Sequence, residues 1–387
     1  MIFGIVLAEA VVLALGVLLD QPYLGVAAAA ALLYLVLAYR RPGIAWMLAW
    51  LAFPFSVDRL VAGGHALYLP LEPMIVLSLV AWIFRLQIGK PLRVPASELH
   101  LPLAALAGVT ALSIVFSHYR HYGVYAMIAA SFYVAFGYLF CCVSRGGLER
   151  MDRWAPWVVG SAALWGLYGA GRVVIYGVTY RAAYGAGRPF FTEHGAYAAY
   201  LAMILPLALL LTVARRGIGR LGYAVASFAI ALGILLSLTR AAWVSLALVL
   251  PVVFFLWAWR ERTFRPVAWM AGVATLVILV LAGLGAKDLV SRHVETVADV
   301  SDVSNLERFN RWMAAVEMLR AKPLLGVGFN AYAQEYGQYR RKTIITELAY
   351  QKMSSHSEPM RLLAETGVTG FLAACWLLAA ATLLGLR

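Results

Sequence analysis

One histidine near the end of the chain has surroundings that suit acid-base chemistry. His356 directly precedes an apolar run, in which Ser357 is a plausible helix cap and Pro359 suits the first helical turn. An imidazole at such a helix entry lies near water and titrates close to neutral pH, which suits a general base that acts on a hydroxyl. The alternative is an interfacial histidine that only hydrogen-bonds a loop carbonyl.

Arg240 interrupts an apolar stretch that is too long for one membrane helix. The sequence from 221 to 259 runs without an obvious turn, and a single helix of these 39 residues would be roughly 58 Å long, nearly twice the hydrocarbon core of a bilayer. We therefore predict that the chain turns back near Arg240 and leaves its guanidinium at a tight apex on the outer side. Snorkelling to water is one option there, but a bound anion would be the better partner.

Two further arginines lie close to predicted helix starts. Arg188 belongs to RPFFTEHGAYAAYL, where a polar loop turns into an apolar helix. A guanidinium and the N–H groups of a helix N-terminus can bind phosphate oxygens together, although an ordinary loop arginine paired with Glu193 fits the same pattern. Arg308 and Arg311 flank the start of another predicted helix, and on residue type alone both are solvated charges.

The elements that must position these residues are membrane helices. Of 387 residues, 63% are hydrophobic and 13% are charged, against about 45–50% and 25% in an ordinary soluble domain. A mean hydropathy of +0.79 over the whole length excludes a soluble enzyme with one anchor. The net charge of +13 first suggests topology and anionic lipid, so nucleic acid is a poor candidate partner. The three cysteines have no spaced partners and indicate neither a disulfide framework nor a metal cluster.

Runs of about 20 apolar residues predict an all-α polytopic bundle with about twelve transmembrane helices. The predicted spans are 2–19, 23–39, 43–55, 68–84, 100–116, 122–143, 154–176, 196–213, 221–238, 241–259, 267–284 and 360–386. Arginine and lysine concentrate in the loops after every second span, which predicts that both termini are cytoplasmic. We treat residues 1–387 as a single membrane domain.

One long polar loop, residues 285–355, separates the last two predicted spans and falls on the outer side of the membrane by this alternation. Within it, Ser304 and Glu307 resemble a capping box. An apolar face then recurs at helical spacing, formed by Leu306, Phe309, Met313 and Val316. The pattern predicts an amphipathic helix at the outer membrane interface.

Several signatures of nucleotide-driven chemistry are missing from the sequence. There is no GxxxxGK[ST] loop, no HExxH, no paired-aspartate nucleotide-sugar motif and no cytoplasmic domain large enough for a nucleotide. What remains is a set of arginines and one histidine on the outer face of a helical bundle. That set suits an anionic head group already in the membrane, such as a lipid diphosphate.

Four segments in order along the chain resemble the bacterial O-antigen ligase and polymerase superfamily. They are RPFFTEHGAYAAYLAMILP; SLTRAAW; RFNRWMAAVEMLRAKPLLGVGFNAY; and a signature of His356, Ser357, nine residues, Gly367, two residues and Gly370. Together they cover residues 188 to 375, whereas residues 1 to 150 match only in hydropathy.

The resemblance implies a membrane glycosyltransferase of the GT-C type in the bacterial inner membrane. Such an enzyme takes a glycan from undecaprenyl diphosphate on the periplasmic face and transfers it to an acceptor hydroxyl, with inversion and with arginine charge in place of a metal or other cofactor. Arg188, Arg240 and Arg308 fall on family arginines, and His356 falls on the family histidine. His194 stands where the family usually has asparagine, so the resemblance gives it no direct role. Gly367 and Gly370 are expected to let a neighbouring helix approach closely.

The acceptor remains open at this point. The leading hypothesis is a ligase that joins lipid-linked polysaccharide to lipid A-core. An O-antigen polymerase, which uses a second lipid-linked chain as acceptor, shares the same motifs, and a protein O-oligosaccharyltransferase is a third possibility. From a different class, a transporter or flippase for an anionic lipid would use the arginines to line a path, but the sequence has no inverted repeat and its unusual basic residues cluster at one face.

Overall fold

The computed structural model describes residues 22–60, 66–88, 97–143, 151–191, 193–261, 303–340 and 355–386. The predicted spans 2–19 and 267–284 lie outside these residues. The described helices and strands, in chain order, are α1 (Pro22–Arg40), α2 (Pro42–Ala52), β1 (Val57–Leu60), β2 (Ala66–Leu69), α3 (Leu71–Gln87), α4 (His100–Val115), α5 (Arg120–Val143), α6 (Met151–Ile175), α7 (Tyr180–Tyr184), α8 (His194–Ala214), α9 (Gly217–Leu236), α10 (Arg240–Glu261), α11 (Val303–Ala321), α12 (Tyr332–Tyr339) and α13 (Glu358–Leu386).

The described part of the chain is predominantly helical, as predicted. Each predicted span that falls within it overlaps a helix. A short antiparallel hairpin of β1 and β2 was not predicted from the sequence. The hairpin ends at Leu69, so the helix of the fourth predicted span, α3, begins only at Leu71. Four described helices are long and apolar enough to cross a bilayer, namely Trp154–Ile175, His194–Ala214, Gly217–Leu236 and Glu358–Leu384. The chain is thus a multi-pass membrane protein, and the count of twelve spans stays a prediction.

The chain forms two compact units, each built from two stretches of sequence. Unit 1 comprises Met1–Pro91 and Val143–Ala298, and unit 2 comprises Leu92–Cys142 and Asp299–Arg387.

In unit 1, small residues bring α6, α8 and α9 into close contact. A Cβ atom at Gly166 of α6 would lie 2.3 Å from the carbonyl oxygen of Ala229, and one at Gly233 of α9 would lie 2.7 Å from the Cα of Gly166. The hydroxyl of Tyr197 on α8 donates to the carbonyl oxygen of Trp165 at 3.0 Å. Close backbone approach at small residues is the usual way in which membrane helices pack, and here it fixes the ends of α8 and α9 against α6.

In unit 2, α13 is broken at Gly367, and a loop inserts at the break. Gly367 has φ 67° and ψ −168°, a conformation that is essentially restricted to glycine, and a Cβ there would lie 2.3 Å from the carbonyl carbon of Leu324. The amide of Val368 donates to the carbonyl oxygen of Pro323 at 2.9 Å. The close partner of Gly367 is therefore the 323–328 loop and not a neighbouring helix, which corrects the expectation from sequence.

The start of α11 also differs from the prediction. The helix already includes Val303, so Ser304 lies inside it and is not its N-cap. The Oε1 atom of Glu307, which was expected to complete a capping box, instead lies 2.8 Å from Nε of Arg311, one turn later. The capping-box prediction is wrong because a charged partner inside the unit engages the carboxylate.

The buried face of α11 is not its apolar face. Its buried positions are Glu307, Asn310, Arg311, Ala314, Ala315 and Met318. Phe309, on the predicted apolar face, is 48% exposed. The prediction of a helix is thus confirmed, and its small residues and paired polar groups face the interior of unit 2. Its location at the membrane interface stays a prediction.

Candidate functional site

The predicted turn near Arg240 is present. Helix α9 ends at Leu236 and α10 begins at Arg240, with Leu238 in the left-handed region at φ 51°. The hydroxyl of Ser237 donates to the carbonyl oxygen of Ile234 at 2.7 Å and lies 3.0 Å from Oγ1 of Thr239. A turn of three residues therefore separates two apolar helices, as predicted from the length of the apolar stretch.

This turn places Arg240 at the first residue of a helix. The side chain is partly buried. A helix N-terminus carries a partial positive charge and unsatisfied N–H groups, so an anion near this turn would be attracted by both the helix end and the guanidinium. An N-terminus and a guanidinium together form a typical phosphate site.

The N-terminus of α8 lies beside this turn. The hydroxyl of Thr239 lies within hydrogen-bond distance, 3.4 Å, of the carbonyl oxygen of His194, the first residue of α8. A groove of about 550 Å³ runs between α8 and α10 next to this contact and is lined mainly by apolar side chains, including Ala199, Met203 and Leu246. Unit 1 thus combines two helix N-termini, one arginine and an adjoining apolar groove.

Hydrogen bonds of its backbone fix the position of Arg188, and its side chain is exposed. Its amide donates to the carbonyl oxygen of Gly185 at 3.1 Å, and its own carbonyl accepts a 2.6 Å hydrogen bond from the hydroxyl of Tyr168. Within the described residues, its guanidinium makes no ion pair with Glu193, the partner that an ordinary loop arginine would have had. The Arg188 side chain is therefore positioned at the surface.

Arg172, on α6, is a neighbour of Arg188 that the sequence analysis did not single out. Its NH1 group lies 3.4 Å from the hydroxyl of Tyr168, the group that fixes Arg188, and its guanidinium lies 5.1 Å from the centre of the Tyr176 ring. The available signal was an arginine in the last turn of an apolar span, which is costly unless the residue has a polar surrounding.

The turns that carry Arg188 and Arg240 lie at the same end of unit 1. Tyr168, which binds Arg188, is one turn beyond Trp165 on α6, and the carbonyl of Trp165 accepts from Tyr197 near the start of α8. The first residue of α8 in turn contacts the Arg240 turn. The structure thus places these two sequence-predicted residues at the same end of unit 1.

His356 lies in unit 2 at the entry of α13, as predicted. It is exposed and has a positive φ of 54°. The hydroxyl of Ser355 donates to the carbonyl oxygen of Ser357 at 2.8 Å, and the same carbonyl accepts from the amide of Arg361 at 2.9 Å as the helix begins. A fixed turn therefore holds the exposed His356 at the surface of unit 2.

Arg308 and Arg311 have different surroundings on α11. Arg308 is half-buried, whereas Arg311 is fully buried and its guanidinium lies 5.3 Å from the centre of the Tyr336 ring. Tyr336 also donates to Glu307 at 3.1 Å. Burial, followed by the charge of Glu307, raises the pKa of Tyr336 to about 12. The prediction that Arg311 is solvated is wrong, because Glu307 and the aromatic ring stabilise its charge inside the unit.

A buried carboxylate, which sequence reasoning missed, connects α12 to α13. Glu365 accepts the amide of Tyr332 at 3.2 Å and Arg361 NH1 at 3.0 Å. Arg361 also binds Glu358, at the first residue of α13, at 2.6 Å. The spacing of Arg361 and Glu365 on an apolar helix was the available signal, since an i, i+4 pair can neutralise such charges. These contacts stabilise the helix entry that follows His356.

A family model described as O-antigen ligase matches residues 224–375. The matched region contains Arg240, Arg308 and His356, and Arg188 lies outside it. No curated protein and no solved structure matches the chain.

Proposed function

We propose, from the match of residues 224–375 to the O-antigen ligase family model, that the chain is a ligase of this family that transfers a polysaccharide from undecaprenyl diphosphate to a hydroxyl of lipid A-core. The reaction takes place in the periplasmic leaflet of the bacterial inner membrane and inverts the anomeric configuration without a metal. The match over a region that contains Arg240, Arg308 and His356 is the observation that carries this proposal.

In this proposal Arg188, Arg240 and Arg308 bind the diphosphate of the donor. The diphosphate leaves with negative charge, so its departure needs charge stabilisation more than protonation, and guanidinium groups supply it. The position of Arg240 at the first residue of α10 supports this role, because the helix N-terminus adds to the favourable potential. The adjoining groove of about 550 Å³ is lined mainly by apolar side chains, which suits the first part of the polyprenyl tail.

His356 acts as the general base. The acceptor oxygen attacks the anomeric carbon, the bond from that carbon to the diphosphate oxygen breaks, and the acceptor proton passes to the imidazole. The exposed position of His356 in a fixed turn supports this role, since an acceptor hydroxyl can reach the ring. Attack from the face opposite the leaving diphosphate accounts for inversion.

A reconstituted transfer assay tests the proposal. The purified protein is incubated with lipid-linked glycan and lipid A-core, and the released undecaprenyl diphosphate and the joined product are quantified. We expect transfer by the wild type and its loss, at unchanged expression, in His356→Ala and Arg240→Ala. The matched controls are His118→Ala and Arg320→Ala, which remove an exposed histidine and an exposed arginine and are expected to retain activity. Wild-type rates in either of the first two variants would refute the assigned roles.

The acceptor separates the ligase from a polymerase. A polymerase has the same motifs in the family resemblance, so the assay is repeated with lipid-linked glycan as the only glycan. Longer lipid-linked chains without lipid A-core would assign the protein as a polymerase, and product only in the presence of lipid A-core would support the ligase.

A further inference from the structure

The other end of unit 1 carries a second arginine cluster. Helices α1 and α2 meet at an elbow formed by Arg40, Arg41 and Pro42. Trp154, in the first turns of α6, packs against Trp46 of α2, close to this elbow, with ring centres 6.2 Å apart. Tyr168, which binds Arg188, is 14 residues further along α6, or about 21 Å at 1.5 Å per residue. The elbow that carries Arg40 and Arg41 thus lies at the end of α6 opposite Arg188.

The elbow is a preformed arrangement of three helices. The hydroxyl of Tyr34 on α1 donates to the carbonyl oxygen of Ala45 on α2 at 2.9 Å and lies 2.9 Å from Oγ of Ser78 on α3. NH1 of Arg85, in the last turn of α3, donates to the carbonyl oxygen of Tyr39 at 2.6 Å. These bonds fix the C-terminal end of α1, where Arg40 lies.

A groove follows α1 and meets the two arginines. Its volume is about 610 Å³, which lies within the range of about 300–1,000 Å³ that is typical of ligand pockets. The apolar lining comes from α1 and from Leu48 of α2. From Leu33 to Arg41 the chain passes from apolar to cationic over eight residues, about 12 Å of helix. This length and polarity match the first part of a phospholipid, with a headgroup and the upper part of an acyl chain.

Among the described residues, no acidic side chain pairs with the two arginines of the elbow, Arg40 and Arg41. Helices α1 and α2 contain no acidic residue, and Glu72, the acidic residue of α3, is in its first turn while Arg85 is in its last. Arginines at the ends of spanning helices commonly lie in the headgroup layer without a pocket, and the groove distinguishes this elbow from that case.

We propose that the elbow groove binds an anionic phospholipid of the bilayer. The phosphodiester group lies at Arg40 and Arg41, and an acyl chain lies along the apolar side chains of α1 and Leu48. By the distribution of positive residues this end of unit 1 faces the cytoplasm, where the leaflet is anionic and basic pockets between membrane helices recognise such headgroups. The site is separate from the transfer chemistry and requires no activity of the enzyme.

Lipid titration of the purified full-length protein tests this site. The delipidated protein is titrated with phosphatidylglycerol, phosphatidylcholine or the soluble headgroup glycerophosphoglycerol, and bound molecules are counted by native mass spectrometry. We expect one phosphatidylglycerol to bind more tightly than phosphatidylcholine. Arg40→Gln/Arg41→Gln should weaken its binding about 30-fold, from about 1 kcal/mol per basic residue at an anionic surface, and Arg40→Lys/Arg41→Lys should retain most of it.

Two further variants separate the groove from general surface charge. Arg215→Gln/Arg216→Gln removes the same charge from the loop between α8 and α9 and should leave phosphatidylglycerol binding unchanged. Leu48→Trp, at a position that is 37% exposed, should fill the groove and weaken binding with both arginines in place. The proposal is overturned if the Arg215 and Arg216 replacements cost as much as those at the elbow, if Leu48→Trp has no effect, or if the soluble headgroup binds as tightly as the lipid.

Discussion

The buried pair of Glu307 and Arg311 makes the stability of unit 2 sensitive to one substitution. The Arg311 side chain is 0% exposed and that of Glu307 is 5% exposed. Arg311→Met keeps much of the apolar length of the side chain but leaves a carboxylate in the interior without the guanidinium that faces it. Removal of one partner of a buried ion pair typically costs about 3–5 kcal/mol, and we expect a loss of that size.

The double variant Glu307→Leu/Arg311→Met provides the decisive comparison. It removes both charges, so no uncompensated charge remains, and replacement of a buried pair by apolar residues is often close to neutral. Tyr336 then loses its acceptor at Glu307, which costs about 1 kcal/mol. We therefore expect the double variant to be more stable than the single variant.

Hydrogen exchange of the α11 and α12 amides measures the effect locally. A loss of about 3–5 kcal/mol increases the population of the open state roughly 150- to 5,000-fold. Arg320→Met, on the same helix, is the control, because the pair of Arg320 and Glu317 is exposed and such pairs contribute about 0–1 kcal/mol. Equal exchange in Arg311→Met and Arg320→Met, or a double variant as unstable as the single one, would refute the reasoning.

Three further predictions follow from individual contacts. Gly367→Ala should destabilise the protein by at least about 2 kcal/mol in thermal unfolding, because the φ/ψ values of Gly367 suit only glycine. Gly108→Ala is the control, since a Cβ atom at this helical position would meet no heavy atom within 4 Å. Equal stability of the two variants would contradict this prediction. Tyr168→Phe removes the hydroxyl that binds the carbonyl of Arg188 and should raise the KM for the lipid-linked donor with little change in kcat; an unchanged KM would count against a positioning role. The pKa of Tyr336 rises from about 10 in the unfolded chain to about 12 in the folded one, so its contribution to stability is complete below pH 10 and is lost as the pH rises toward 12. Denaturation at several pH values should show a smaller loss of stability in Tyr336→Phe than in the wild type. Identical dependence of stability on pH in the two proteins would contradict this.

The sequence predicts features that follow from length and local pattern. The 39 residues around Arg240 are too long for one span, so a turn was required, and the structure has it between Leu236 and Arg240. The entry of α13 was predictable because Ser357 and Pro359 mark a helix start, and α13 begins at Glu358. The first inference uses the length of a helix relative to the bilayer thickness, and the second uses residue preferences at a helix N-terminus.

Features that depend on partners distant in sequence could not be predicted in this way. Arg311 has the appearance of a solvated charge until the ring of Tyr336 is placed beside it, and the role of Gly367 depends on a loop that approaches from 323–328. Arg172 was only one more arginine near a span end, because its relation to Tyr168 and Arg188 requires the fold. For the candidate site, the residue types could be read from the sequence, whereas the exact helix ends and the groove between α8 and α10 are known only from the structure.

The central claim is that a lipid diphosphate binds to Arg188, Arg240 and Arg308 while His356 faces the acceptor. A cryo-electron microscopy structure of the protein with bound undecaprenyl diphosphate tests it most directly. The account predicts guanidinium nitrogens of Arg188, Arg240 and Arg308 within about 2.7–2.9 Å of phosphate oxygens, and the polyprenyl tail in the groove between α8 and α10. A diphosphate bound elsewhere, without contact to Arg240, would contradict it.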